Sequence, residues 1–107
     1  MAWVVGFLDA EVQAELEAMP PDIIAAFLRI ARLIEAVGLE HVREPYVKHL
    51  RGPLWEMRMK GRDGIVRAAY VTAPPRRVVV VRVFSKKTQK TPRREMEIAL
   101  KRAKDVK

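Results

Sequence analysis

The chain has 107 residues, half of them apolar, and no cysteine; that suffices for one core in a single domain over 1–107 and excludes disulfides, thiolate catalysis and zinc–thiolate sites. Its net charge of +8 is unevenly spread: residues 1–42 hold two bases against seven acids, net −5, while residues 43–107 hold 19 bases against six acids, net +13. No apolar run approaches the roughly 20 residues of a membrane span, and the first residues lack a basic segment before their short apolar run, so a cytoplasmic protein without membrane contact is expected.

Trp3 to Phe7 is a β-branched and aromatic run that predicts a first strand. Asp9 is placed to cap a helix over Ala10–Ala18, which Pro20–Pro21 stops. A longer helix follows from Asp22 to Val37, with Ile23, Ile24, Phe27, Leu28, Ile30, Ala31 and Ile34 forming a broad apolar stripe and Gly38 ending it. Residues 38–53 read as a connection with little regular structure. From Leu54 the apolar period becomes two, predicting strands over 54–60, Ile65–Thr72 and Arg77–Phe84, joined by turns at Gly61–Gly64 and Ala73–Arg76. A basic loop, Ser85–Thr91, leads to a last helix. Thr91 or its neighbour caps that helix, Pro92 takes its first position, and Met96, Ala99, Leu100 and Ala103 share one face. The expected fold is α+β: an N-terminal strand and αα-hairpin, a three-stranded antiparallel meander and a C-terminal helix, with the helices on one face of the sheet.

The turns suggest a register. A four-residue loop at 61–64 puts Arg58 opposite Arg67 and Trp55 opposite Tyr70, and a four-residue loop at 73–76 puts Arg67 opposite Arg82. Trp55, Met57, Met59, Val66, Ala68, Tyr70, Val79, Val81 and Val83 then form the core face. Arg58, Arg67 and Arg82 line the other, with Glu56 beside them. Like charges directly opposite cost on the order of 0.2–1 kcal/mol per pair, so folding alone gives no reason for such a row. A phosphate reverses the sign, because guanidinium forks fit its oxygens. The bland alternative is a solvated face that Glu56 partly neutralises. Lys60, Lys86, Lys87, Lys90, Arg93 and Arg94 extend the basic region, the pattern expected of an RNA-binding surface. The sequence has no phosphate-binding glycine loop, no dinucleotide fingerprint and no metal-ligand cluster, so neither cofactor nor metal is expected. His41, His49, Trp3 and Trp55 read as packing or surface residues.

Leu54–Arg58 (LWEMR), Arg67–Tyr70 (RAAY) and Phe84–Pro92 (FSKKTQKTP), followed by an alanine-containing helix, resemble the phage-derived HigB-like branch of the RelE toxin superfamily over nearly the whole chain. The resemblance implies a metal-independent endoribonuclease that cuts mRNA on the ribosome and inhibits translation, neutralised by a helix-turn-helix antitoxin. It places catalytic function on Arg58, Arg67, Lys86 and Lys87; Arg82 rests on register alone. Lys86 or Lys87 would be the base, or Glu56 would be the acid/base or an orienter of an arginine. The last helix carries no Tyr or His to act as a C-terminal acid or base. Two rivals stay open: a non-catalytic RNA-binding module or degenerate toxin, and a basic face that docks an acidic protein.

Overall fold

The computed structural model describes residues 2–85 and 90–107. It contains β1 (Val4–Phe7), α1 (Ala10–Glu17), α2 (Pro21–Val37), β2 (Val47–Arg51), β3 (Leu54–Gly61), β4 (Gly64–Ala73), β5 (Arg77–Ser85) and α3 (Arg93–Ala103). One five-stranded sheet runs in the order β1-β5-β4-β3-β2. The α+β arrangement is the expected one, and the 38–53 connection adds a further strand. β2 is antiparallel to β3, Val47 facing Met57 and His49 facing Trp55, so the meander has four strands. Gly52, at φ 54°, turns the chain between β2 and β3, a backbone conformation open to glycine without steric cost.

Local chemistry accounts for the helix ends. The Asp9 side chain accepts from the Val12 amide at 3.1 Å, satisfying one of the first-turn donors that a helix leaves unpaired. α2 ends at Gly38, φ 92°. α3 begins at Arg93, with Pro92 at the cap position and making no side-chain cap bond. It therefore starts one residue later than expected.

The sheet has a core on each side. Ile23, Phe27, Ile30 and Ile34 of α2 pack with Met57, Met59, Ala68, Tyr70, Val78 and Val80. Phe7 stacks on Phe27 with ring centroids 5.5 Å apart. On the other side Leu54, Ala69, Val71, Val79, Val81 and Phe84 pack with Ala99, Met96 and Leu100 of α3. α3 thus covers the face opposite α2, which corrects the expectation of helices on one face.

The β3–β4 register is as read from the turn: Arg58 pairs with Arg67 and Trp55 with Tyr70. The β4–β5 register is not. Ala73 pairs with Arg77, one residue tighter than expected. A one-residue slip inverts a strand, so Val78 and Val80, rather than Val79 and Val81, face α2. An irregularity between Ala69 and Tyr70 then accommodates an extra β5 residue, and Arg82 comes to lie opposite Ala69 while Arg67 faces Phe84. The expected Arg67–Arg82 pairing is therefore absent. Trp55, expected in the core, is 40% exposed, its ring meeting that of His49 edge-on at 5.0 Å.

Among the described residues, no helix is long and apolar enough to cross a membrane, and no group of three or more His, Cys, Asp or Glu could hold a metal ion.

Candidate nucleic-acid interface

Alternation along β3 and β4 puts Glu56, Arg58 and Arg67 on the same side of the sheet as Leu54, Ala69 and α3. Arg58 and Arg67 are directly opposed, and the cost of that opposition is met by Glu56. Its Oε1 accepts from Arg67 Nη1 at 2.5 Å, with the side chains 1% and 4% exposed respectively. Burying an ion pair is costly unless both partners fill their hydrogen-bonding capacity. Here they do not. Glu56 Oε2, Arg67 Nε and the neighbouring Arg58 Nε are buried and without a hydrogen-bond partner. Three orphaned polar atoms on one patch of sheet are more than packing alone explains.

Arg58 differs from its neighbour. It is only partly buried, its amide donates to Tyr46 O at 2.9 Å, and its guanidinium has no carboxylate partner among the described residues. β2 pairs with β3 as far as Val47–Met57, and past the Arg58–Tyr46 bond the edge of β3 is open. Lys60, two residues on, is exposed.

Arg82 has a different surrounding. Its Nε donates to Glu95 at 2.6 Å and its Nη1 to Glu15 at 2.8 Å, and the bond it donates to the Glu95 carboxylate is the main reason its pKa is raised. Glu15 also accepts from Arg102 at 2.8 Å and from the Val83 amide at 3.1 Å. Arg102 in turn reaches Val81 O at 2.9 Å and Glu11 at 2.8 Å. The cluster occupies the β5 edge past the end of β1, tying α1, β5 and α3 together, and it spends the Arg82 charge on carboxylates. The sequence reading missed this network, because Glu15 and Arg102 are 87 residues apart and neither lies on a recognisable motif.

The remaining basic candidates fall on α3, at its entry or outside the described residues. Arg93 is exposed and pairs with Glu97 at 3.2 Å, an i,i+4 contact of small energetic weight. Lys90 and Arg94 are exposed at the entry to α3. Lys86 and Lys87 lie outside the described residues. The structure therefore brings Arg58, Arg67 and Glu56 together with Lys60 at the strand end, and separates Arg82 from them.

A family model described as a phage-derived, Gp49-like protein (DUF891) matches residues 14–104. No curated protein matches the chain. Among solved structures, a double arginine-to-alanine mutant of the Escherichia coli toxin RelE in the free state is similar in fold, with a TM-score of 0.65 and 18% identity over 95% of this chain and 98% of that one. The strand, helix pair, meander and last helix thus form a RelE-like fold, and the protein belongs to the phage-derived Gp49-like family.

Proposed function

We propose that the protein is a RelE-like toxin, an endoribonuclease that cleaves mRNA on the ribosome, acts in the cytoplasm and is neutralised by a helix-turn-helix antitoxin. The observation that carries this reading is Arg58: a guanidinium without a counter-ion among the described residues, directly opposite a second arginine that Glu56 holds in place. The RelE-like fold and the basic second half of the chain support it.

In the proposed reaction the 2′-hydroxyl attacks the adjacent phosphorus, the bond to the 5′-oxygen breaks, and the products carry a 2′,3′-cyclic phosphate and a 5′-hydroxyl. Charge grows on the non-bridging oxygens in the transition state. Arg58 meets it directly, and Arg67 adds positive potential from beneath; removing one preorganised donor of this kind typically costs about 2.7–4 kcal/mol of barrier. Lys86 or Lys87 takes the 2′-hydroxyl proton as general base, and the leaving 5′-oxygen is protonated in turn. Glu56 acts as orienter rather than base, since a carboxylate 1% exposed and bound to Arg67 is out of reach of a substrate hydroxyl. Lys60, Lys90, Arg93 and Arg94 supply phosphate contacts along the strand. Arg82, already held by two carboxylates, belongs to the scaffold.

The test is growth and bulk translation after controlled induction of the wild type beside Arg58→Gln. Arrest by the wild type and not by the variant is expected. Soluble expression of the wild type without arrest would transfer the assignment to a non-catalytic RNA-binding module.

A further inference from the structure

Past the end of β2 the open edge of β3 faces α2 across a groove of about 550 Å³. One wall is apolar, built from Ala26, Ile30 and Leu33 of α2 with Pro45. Tyr46 stands at the rim, 47% exposed. Three cations line the groove: Arg29 from α2 and Arg58 and Lys60 from β3. No carboxylate lines it. Asp22, one turn before Ala26, is bound to the Arg62 amide at 2.6 Å. Helix, loop and strand are fixed relative to one another, because Arg58 N donates to Tyr46 O and α2 packs against β3 along its length. The larger cleft at the other end of the sheet, between Trp3 and Trp55, mixes Arg43 and Lys48 with Glu40 and Glu44 and has no such bias.

An apolar wall, an exposed aromatic ring and cations without a carboxylate partner among the described residues together fit a ligand with a flat apolar part and a phosphate. We infer that this groove is a nucleotide subsite, in which an unstacked RNA base lies against Tyr46 and the Ile30–Leu33 wall while its phosphate meets Arg29 and Lys60 at the β3 edge. The inference rests on the reading of the protein as RNA-binding. It adds to that reading a place for the nucleotide next to the one held at Arg58, and so a site at which base preference is set. Stacking on an aromatic side chain is sequence-tolerant, because every base has a π-face. The size and shape of the α2 wall would supply discrimination between purine and pyrimidine.

The experiment is anisotropy titration of the full chain with a labelled, non-cleavable 2′-O-methyl hexanucleotide at several salt concentrations, for wild type, Tyr46→Ala, Tyr46→Phe and Arg29→Gln. Tyr46→Ala is expected to weaken binding roughly tenfold, the usual scale of a base–aromatic stack, and Tyr46→Phe to restore it. Arg29→Gln should lower the magnitude of the log–log salt slope by about 0.7, one phosphate contact on a single strand. Both sites are exposed, and unchanged thermal unfolding confirms that each variant folds. Salt-dependent wild-type binding that Tyr46→Ala leaves unchanged would overturn the subsite and leave the RNA reading intact. Loss of affinity for an acid-rich peptide in Tyr46→Ala, with RNA binding unaltered, would overturn it in favour of a protein-docking groove. Absence of any wild-type RNA binding would remove the reading itself and the subsite with it.

Discussion

Replacing Arg67 with alanine leaves the Glu56 carboxylate charged, 1% exposed and without its ionic partner. Breaking a buried pair in this one-sided way costs about 3–5 kcal/mol, against a total of about 5–15 kcal/mol for a chain of this length. At a urea m-value near 2 kcal/mol/M, the unfolding midpoint should fall by about 2 M with m unchanged. Loss of toxicity in Arg67→Ala would then mix chemistry with unfolding, which is why Arg58 is the better probe of function. The double replacement Glu56→Met with Arg67→Met should behave differently, because it removes both charges and both orphaned atoms, Glu56 Oε2 and Arg67 Nε. Apolar substitution of a buried pair is often neutral or stabilising, so the double variant should fall within about 1 kcal/mol of wild type or exceed it. The assay is equilibrium urea unfolding followed by circular dichroism, with wild type, Glu56→Met, Arg67→Met and the double variant forming a double-mutant cycle beside Arg67→Ala. A single Arg67→Ala loss below 1 kcal/mol, or a double variant as unstable as the two single losses added, would refute the description of this pair as buried and coupled.

Three further outcomes follow from separate contacts. Asp9→Ala removes the side-chain cap of α1 and should lower stability by about 1 kcal/mol in chemical unfolding, whereas Asp9→Ser should recover most of it. Glu15→Gln frees Arg82 and Arg102 from a shared carboxylate; it should lower stability by about 1–3 kcal/mol and steepen the salt dependence of RNA binding, read by anisotropy. Tyr70 is buried, and burial raises its pKa above the ordinary 10.0. The native state therefore keeps a proton that the unfolded chain releases. Stability should be intact below pH 10 and decline as pH rises above it, and Tyr70→Phe should flatten that alkaline decline in thermal unfolding.

How far the sequence could be read depended on how local each determinant was. The register of β3 on β4 was legible because a glycine-bounded turn and strict alternation fix it within 20 residues, and with it the opposition of Arg58 and Arg67. β2 was overlooked although Val47–Leu50 is strand-like and Gly52-Pro53 marks a turn; its partner, β3, gives an edge strand little of its own apolar signal. The β4–β5 register failed for a specific reason. Ala73 reads as a turn residue beside two prolines yet belongs to the ladder, and one residue of error inverted the valines of β5. The extra residue near Val81 could not be read from a run of four valines, which offers no contrast between faces. Arg82 consequently looked like a member of the arginine row. Its carboxylates come from α1 and α3, 67 and 13 residues away, and no local pattern reports them.

The same distinction between local and distant partners separates the arginines by role. A cation that folding needs has its carboxylates supplied by the chain, as Arg82 and Arg102 do through Glu11, Glu15 and Glu95. Arg67 is intermediate: one oxygen of Glu56 engages it, while the second oxygen and its own Nε are unmatched. Among the described residues Arg58 receives no carboxylate, although it lies directly across from another positive charge. An apolar residue at 58 would remove that repulsion and an orphaned donor together, so folding stability by itself disfavours arginine there. On the proposed reading the missing acid is a phosphate brought by the substrate, and the partial service of Glu56 to Arg67 leaves enough positive potential beneath Arg58 to favour that phosphate over water. Arg58→Met should therefore raise stability or leave it unchanged while it abolishes translation arrest; destabilisation by more than about 1 kcal/mol would mean that the chain itself supplies Arg58 with a partner.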